Sequence, residues 1–239
     1  MYDFESERTA LVIGKDGVEK LSKKRVAVFG VGGVGGAAVE ALARIGVGTI
    51  DLFDNDTVNL SNINRQIIAT HQSVGMLKVE AAKQRILSIN PSASVNCFPV
   101  FYLPENADNY DLSVYDYILD AIDTVSAKIE LVKRAHALNV PIICSMGTGN
   151  KLDPTRFEVA DIAKTEVCPL ARAMRTNLRK IGIDHLKVVY SKEIPTKSCN
   201  NFESSVKTVG SVSFVPPVAG YIMAGEAIKD MVKDELRNS

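Results

Sequence analysis

The sequence contains no C-x-x-C pair; its four cysteines, Cys97, Cys144, Cys168 and Cys199, are widely spaced. A structural zinc site built from cysteines and a disulfide framework are both excluded on that pattern, and a reducing cytoplasm is the default compartment. Net charge is also missing. Twenty-eight basic residues balance twenty-eight acidic ones, so no global field argues for nucleic acid or an anionic membrane, although a local basic patch stays open. The first ten residues, "MYDFESERTA", are polar and lack an apolar signal core. The longest uncharged run, Thr208 to Gly225, contains Pro216, Pro217 and three glycines. It reads as a buried strand, turn and helix, because a membrane span needs roughly 20 mostly apolar residues. No internal repeat and no linker separates a second domain.

What is present is a chain of 239 residues, 46% hydrophobic, long enough for one large α/β domain. Residues 7 to 22 read as a helix with Leu11, Val12, Val18 and Leu21 as its apolar stripe. "RVAVFGVGG" is a buried strand entering a glycine turn, and "VGGAAVEALARIGV" is the helix that follows. "TIDLFD", the helix "GMLKVEAAKQRILSIN" and an edge strand in "SVNCFPVF" come next. Then come the strand "YDYILDAID", the helix "TVSAKIELVKRAHALN" and the strand "VPIICSMG". Alternation of this kind builds a Rossmann-like, doubly wound, mainly parallel sheet. After Gly147 the rhythm changes: "RFEVADI" and "LKVVYSKE" read as strands of an antiparallel C-terminal extension, separated by a basic segment. Residues 195 to 208 read as an exposed loop, and a final helix covers about 217 to 235. The expected division is a nucleotide-binding part, about 7–150, and a substrate-binding part, about 151–239, within a single domain.

"GVGGVG" supplies Gly30, Gly32, Gly33 and Gly35 between a strand and a helix. Gly30 permits the tight turn, Gly32 lets a phosphate approach the backbone, and Gly35 allows close helix packing. The helix N-terminus offers free N–H groups for that phosphate. Asp54, 19 residues beyond Gly35, is placed to accept hydrogen bonds from ribose hydroxyls. Charge then separates the nucleotides. A nicotinamide dinucleotide presents about two phosphate charges, which glycine backbone and helix dipole can meet. ATP brings roughly four, so its site adds Arg, Lys and Mg²⁺. Arg65 follows Asn62 by three residues, on one face if "SNINRQ" is a helical turn capped by Ser61. Lys78 opens the next helix, and Asp123 follows "YILDAI" at the carboxyl edge, where it could hold Mg²⁺. Singly, each has a plain alternative: a surface ion pair for Arg65, a solvated helix position for Lys78, a helix cap for Asp123. Together they favour ATP.

"GVGGVG", "LFDNDTVNLSNINRQ", "VGMLKVEAAKQRILSINP" and "DAIDT" together resemble the ubiquitin-activating-enzyme-like adenylyltransferases, which include the molybdopterin and thiamine biosynthesis activators. The resemblance implies that Asp54 binds ribose, that Asn62, Arg65 and Lys78 bind phosphates, and that Asp123 serves magnesium. It implies that Arg8 reaches across a homodimer to the neighbour's γ-phosphate. Such enzymes adenylate a carboxylate. The second half, with "MGTGNKLDPTRFEVADIAKTEVCPLARAMRTNLRKIGI", is similar to the branch acting on tRNA, the tRNA threonylcarbamoyladenosine dehydratases. Between Lys164 and Lys192 seven basic residues face only Glu166 and Asp184, and Arg172, Arg175 and Arg179 recur at helical spacing that could track phosphates. The plain alternative is a solvated helix face. Other functions stay open: adenylation of a ubiquitin-like sulfur carrier, a scaffold with a vestigial site, or last a nicotinamide oxidoreductase. Open too are a sulfur-relay protein partner, a monovalent cation near "MGTGNKLD", and a nucleophilic role for Cys168 or Cys199; the resemblance implies adenylation of the threonyl carboxylate followed by ring closure through the modification's own nitrogen, which needs no cysteine.

Overall fold

The computed structural model describes residues 4–196 and 209–236. Seven short runs rich in Val, Ile, Leu, Phe and Tyr form its strands: β1 (Arg25–Phe29), β2 (Thr49–Phe53), β3 (Ser94–Phe98), β4 (Tyr117–Asp120), β5 (Ile142–Ser145), β6 (Phe157–Asp161) and β7 (Lys187–Ser191). They join in one sheet, ordered β3-β2-β1-β4-β5-β7-β6. Every pairing is parallel except β6 on β7, which is antiparallel. The fold is therefore α/β with an antiparallel C-terminal edge, as the alternating pattern predicts. The central strands are buried on both faces, which is why they read as continuous apolar runs.

Helices α2 (Gly33–Ile45), α3 (Lys78–Ile89), α4 (Val125–Ala137), α5 (Pro169–Lys180) and α6 (Pro216–Met231) cover the sheet, with α1 (Glu7–Ser22) and the short α7 (Lys233–Leu236) alongside. Gly46, left-handed at φ 90°, ends α2 as a glycine C-cap does. Small residues let α6 lie directly on α2: a Cβ at Gly220 would stand 2.1 Å from the Val34 carbonyl oxygen. Because β1 pairs with β2 on one side and β4 on the other, the chain reverses its winding at the carboxyl end of β1. A crevice opens there.

Three local expectations differ from the structure. In α1, Leu11 and Val12 are largely exposed while Ile13, Gly17 and Leu21 are buried, because the helix kinks at Gly14 (φ 75°) and rotates its apolar stripe. The turn before Arg65 is preceded by Asn59, not Ser61; the Asn59 amide donates to Asn62 Oδ1 at 3.0 Å. Before α6 there is no strand among the described residues, since two prolines open the helix itself. The segment read as a loop, 195–208, lies almost wholly outside the described residues, as does Cys199. No described helix is long and apolar enough to cross a membrane.

Candidate functional site

The crevice is a cleft of about 680 Å³, within the usual range for small-molecule sites. β1 delivers the chain into it through Gly30, whose φ of 83° and 2.7 Å clearance to the Ala121 carbonyl admit no side chain. Gly32 faces open space: its nearest would-be neighbour is Gln66 Nε2 at 3.8 Å. Gly30, Gly32 and Gly33 line the cleft; Gly35 does not. A Cβ on Gly35 would sit 1.7 Å from the Gly30 carbonyl oxygen, so this glycine seats α2 against the turn and touches no ligand position.

β2 leads into Asp54, whose Oδ2 accepts from the Val31 amide at 2.7 Å and Oδ1 from the Asp56 amide at 2.9 Å. Burial pushes its carboxyl above the ordinary aspartate range, against the opposing pull of Lys78 and these two amides. Lys78, the first residue of α3, is buried with its Nζ 2.6 Å from Asp56 and 3.9 Å from Asp54. Asn62 is buried at the same wall, and Arg65 is held by Ser61 O at 2.9 Å and Asn64 Oδ1 at 2.8 Å. Asp54, Asn62, Arg65, Lys78 and Asp123 all line the one cleft. Below them Phe98, Phe53 and Phe29 stack at 4.4 and 4.1 Å between centroids, a rigid aromatic floor at the ends of β3, β2 and β1.

Asp123 stands exposed beyond β4, touched only weakly by the Thr124 hydroxyl at 3.4 Å, so its lone pairs are available. No group of three or more His, Cys, Asp or Glu able to hold a metal occurs among the described residues. A single free carboxylate fits Mg²⁺ shared with substrate phosphates and water, and does not fit an all-protein metal cage. Arg8 is exposed on α1 and does not line its own chain's cleft.

The basic segment is more divided than its spacing suggests. Arg172 and Arg179 are exposed on α5, the latter 3.7 Å from Asp184. Arg175 instead turns inward, where Nη1 donates to Thr165 Oγ1 (2.6 Å) and to the carbonyls of Thr165 and Ile162 (both 3.1 Å). Lys187 and Lys192 are ion-paired with Asp230 and Glu158. Of the cysteines, Cys97 is pushed up to about 12 by burial and Cys144 is raised by burial too, so neither is a ready thiolate. Cys168 is buried at the start of α5.

Sequence reading missed Asp120 and Lys128, both fully buried and 2.9 Å apart directly under the cleft. The one signal available was an acid inside the otherwise apolar strand "YILDAI". It missed Asn150 as well, whose positive φ of 56° no motif announces.

A tRNA threonylcarbamoyladenosine dehydratase of Bacillus subtilis (strain 168) is 44% identical over 95% of this chain and 94% of that protein. The Escherichia coli tRNA N6-threonylcarbamoyladenosine dehydratase, TcdA, solved in complex with AMP, superposes with a TM-score of 0.87 at 33% identity, covering 96% of this chain and 94% of that one. The same protein has been solved in complex with ATP, also at a TM-score of 0.87. By contrast, the adenylyltransferase and sulfurtransferase UBA4 of Vanderwaltozyma polyspora, 40% identical, matches only 58% of this chain and 31% of its own length. The family model described as the ThiF family matches residues 6–239, the whole of the sheet and its cleft, and the chain belongs to that family.

Proposed function

We propose that the chain is an ATP-dependent tRNA threonylcarbamoyladenosine dehydratase. The observation that carries this reading is 44% identity to such an enzyme across 95% of the chain, through the substrate-binding half as well as the nucleotide half. The sulfur-carrier alternative lacks that support, because the sulfurtransferase relative matches only 58% of the chain.

In this reading the two parts, about 7–150 and 151–239, work as one domain. The ribose of ATP lies against Asp54, with its phosphates over Gly32 and the N-terminus of α2. Asn62, Arg65 and Lys78 meet the phosphate charge, and Asp123 is the residue that would hold Mg²⁺. When bound, the ion neutralises charge on the phosphate oxygens. Lys78 is preset for the task, since a cation already desolvated beside Asp54 and Asp56 needs no reorganisation when charge develops. The threonyl carboxylate oxygen of the modified nucleoside attacks the α-phosphorus, forming a P–O bond as pyrophosphate leaves. The modification's own nitrogen then attacks the acyl carbon, loses its proton, and expels AMP. The nucleoside loses the elements of one water, which end up in the AMP and pyrophosphate formed from ATP. No protein nucleophile is required; positioning and charge do the work.

Arg172 and Arg179 are the residues proposed to meet tRNA phosphates, with Arg175 holding the segment 162–165 in place behind them. A homodimer would bring Arg8 to a neighbour's γ-phosphate. A sulfur-relay partner and a monovalent cation near "MGTGNKLD", residues 146–153, are further proposals of the same reading. The test is mass spectrometry of nucleosides from tRNA incubated with protein and ATP. Loss of one water from threonylcarbamoyladenosine is expected; no change, with tRNA from cells lacking the cyclic form, would overturn the assignment.

A further inference from the structure

Asp120 is the last residue of β4, and Lys128 lies in the first turn of α4, after the short loop that carries Asp123. A helical side chain leans toward the N-terminus of its helix, so Lys128 points back beneath that loop. Both side chains are wholly buried, and the ammonium stands 2.9 Å from Asp120 Oδ2. Oδ2 receives no well-aligned hydrogen bond, so this contact is ionic. The aligned bonds go elsewhere: Lys128 Nζ donates to the Ser145 carbonyl at 2.9 Å and to the Ile122 carbonyl at 3.1 Å. Asp120 Oδ1 in turn accepts from the Ile122 amide at 3.1 Å.

The two carbonyls belong to two different walls. Ile122 precedes Asp123 in the loop after β4, and Ser145 ends β5 and leads into Met146–Gly149; all of these line the cleft. One ammonium therefore ties the carboxyl ends of adjacent strands together on the side of the cleft opposite Asp54. A buried ion pair is a poor device for stability, since well-packed apolar residues of the same volume do as well or better. Its geometry is what an apolar pair could not supply.

We infer that Asp120 and Lys128 are positioning residues: the pair fixes the Asp123 loop and the 145–149 segment relative to each other, and so sets where the carboxylate meets the α-phosphorus. The catalytic part of this inference rests on the proposed function; the structural part does not. Because the pair touches none of Asp54, Asn62, Arg65 or Lys78, loosening it should act on turnover and leave nucleotide affinity nearly alone.

The test is the double variant Asp120→Asn/Lys128→Met, which removes both charges at nearly constant volume and leaves neither one buried alone. Hydrogen exchange is expected to rise in residues 121–124 and 145–149 and to stay unchanged in 30–35 and 54–66. The kcat for dehydration of modified tRNA should fall about 10- to 100-fold, the scale of a displacement near 1 Å, while KM for ATP changes less than about threefold. Should the double variant fail to fold, Lys128→Arg keeps the charge and is read for the same two-segment exchange pattern. Unchanged exchange in those segments, or exchange rising evenly through the sheet with ATP affinity lost alongside kcat, would overturn the inference. A wild-type protein that converts no tRNA would instead sink the functional reading, and the exchange result would still decide the pair.

Discussion

Two glycines three residues apart should fail in opposite ways when each is changed to alanine. At Gly35 the added Cβ would lie 1.7 Å from the Gly30 carbonyl oxygen, where ordinary contact begins well above 3.0 Å. Neither partner is a flexible side-chain end, so α2 must move off the turn by more than an ångström. Overpacking of that kind costs about 3 kcal/mol or more. For a chain of this size about 3 kcal/mol corresponds to roughly 6–12 °C in Tm. At Gly32 the same methyl meets nothing closer than Gln66 Nε2 at 3.8 Å, and φ is already negative at −86°. Gly32→Ala displaces no neighbour, so it should cost far less stability than Gly35→Ala. What it fills is the space proposed above for the phosphate oxygens. Thermal melts with and without ATP separate the two cases. Saturating ATP at about 100 times its Kd adds about 2.7 kcal/mol to the wild type, a rise of roughly 5–11 °C. Gly32→Ala should keep an unliganded Tm well above that of Gly35→Ala and lose most of the rise with ATP; Gly35→Ala should lose the unliganded Tm itself. An ATP shift of full size in Gly32→Ala would refute the placement of phosphate over this glycine. An unchanged Tm in Gly35→Ala would refute the packing argument.

Asp54 gives a pH signature. Burial raises its pKa in the fold, so the contribution it makes to stability is present below the ordinary aspartate pKa and is lost as pH rises through the raised value. Lowering the pH toward the ordinary aspartate range should thus favour the unliganded fold at this residue while protonating the carboxylate proposed to meet the ribose. Calorimetry should show AMP affinity falling over that range in the wild type and staying flat and weak in Asp54→Asn. Asp123→Asn should keep ATP binding, measured at equilibrium, and lose AMP formation; equal loss of both would remove Asp123 from the chemistry. Arg172→Glu with Arg179→Glu should weaken tRNA binding and reduce its salt slope by about two phosphate contacts. Arg175→Glu, by contrast, should lower Tm, because three inward hydrogen bonds are lost.

The sheet was legible because a parallel strand buried on both faces can be written in few ways, and "RVAVF", "TIDLF" and "YILD" are three of them. That the residues proposed for the nucleotide share one cleft was legible for a related reason. Gly30, Asp54, Lys78 and Asp123 each sit at the carboxyl end of a strand or the first residue of a helix, where local pattern alone gives position. Arg175 shows where such reading stops. Its spacing with Arg172 and Arg179 is helical, but periodicity cannot say that carbonyls of Ile162 and Thr165 wait behind one of the three. Leu11 and Val12 stop it again, because a single left-handed glycine turned the stripe. Lys128 was hidden by the opposite cause: its partners, Asp120 and the Ser145 carbonyl, come from two strands, and only the sheet order makes them neighbours.

The same sheet order explains how the second half of the chain reaches a site built by the first. Asn150, left-handed at φ 56°, exchanges hydrogen bonds with Gly210: its amide donates to Gly210 O at 2.8 Å, and its Oδ1 accepts from the Gly210 amide at 2.7 Å. Its carbonyl accepts from the Thr196 amide at 2.8 Å, so one residue fastens two points fourteen residues apart to the loop after β5. Gly149 makes room for the crossing, since a Cβ there would collide with Val209 at 2.1 Å. Val209, Gly210 and Ser211 thereby become a wall of the cleft, facing Arg65 and Gly33. From the other side, Asn64 Nδ2 donates to the Ser211 carbonyl at 3.0 Å, so the two halves of the chain hold each other directly at the cleft rim. That wall is anchored through Asn150 and Asn64 and not through Asp54, Lys78 or the glycine turn, so the two sides of the cleft are held by separate sets of hydrogen bonds.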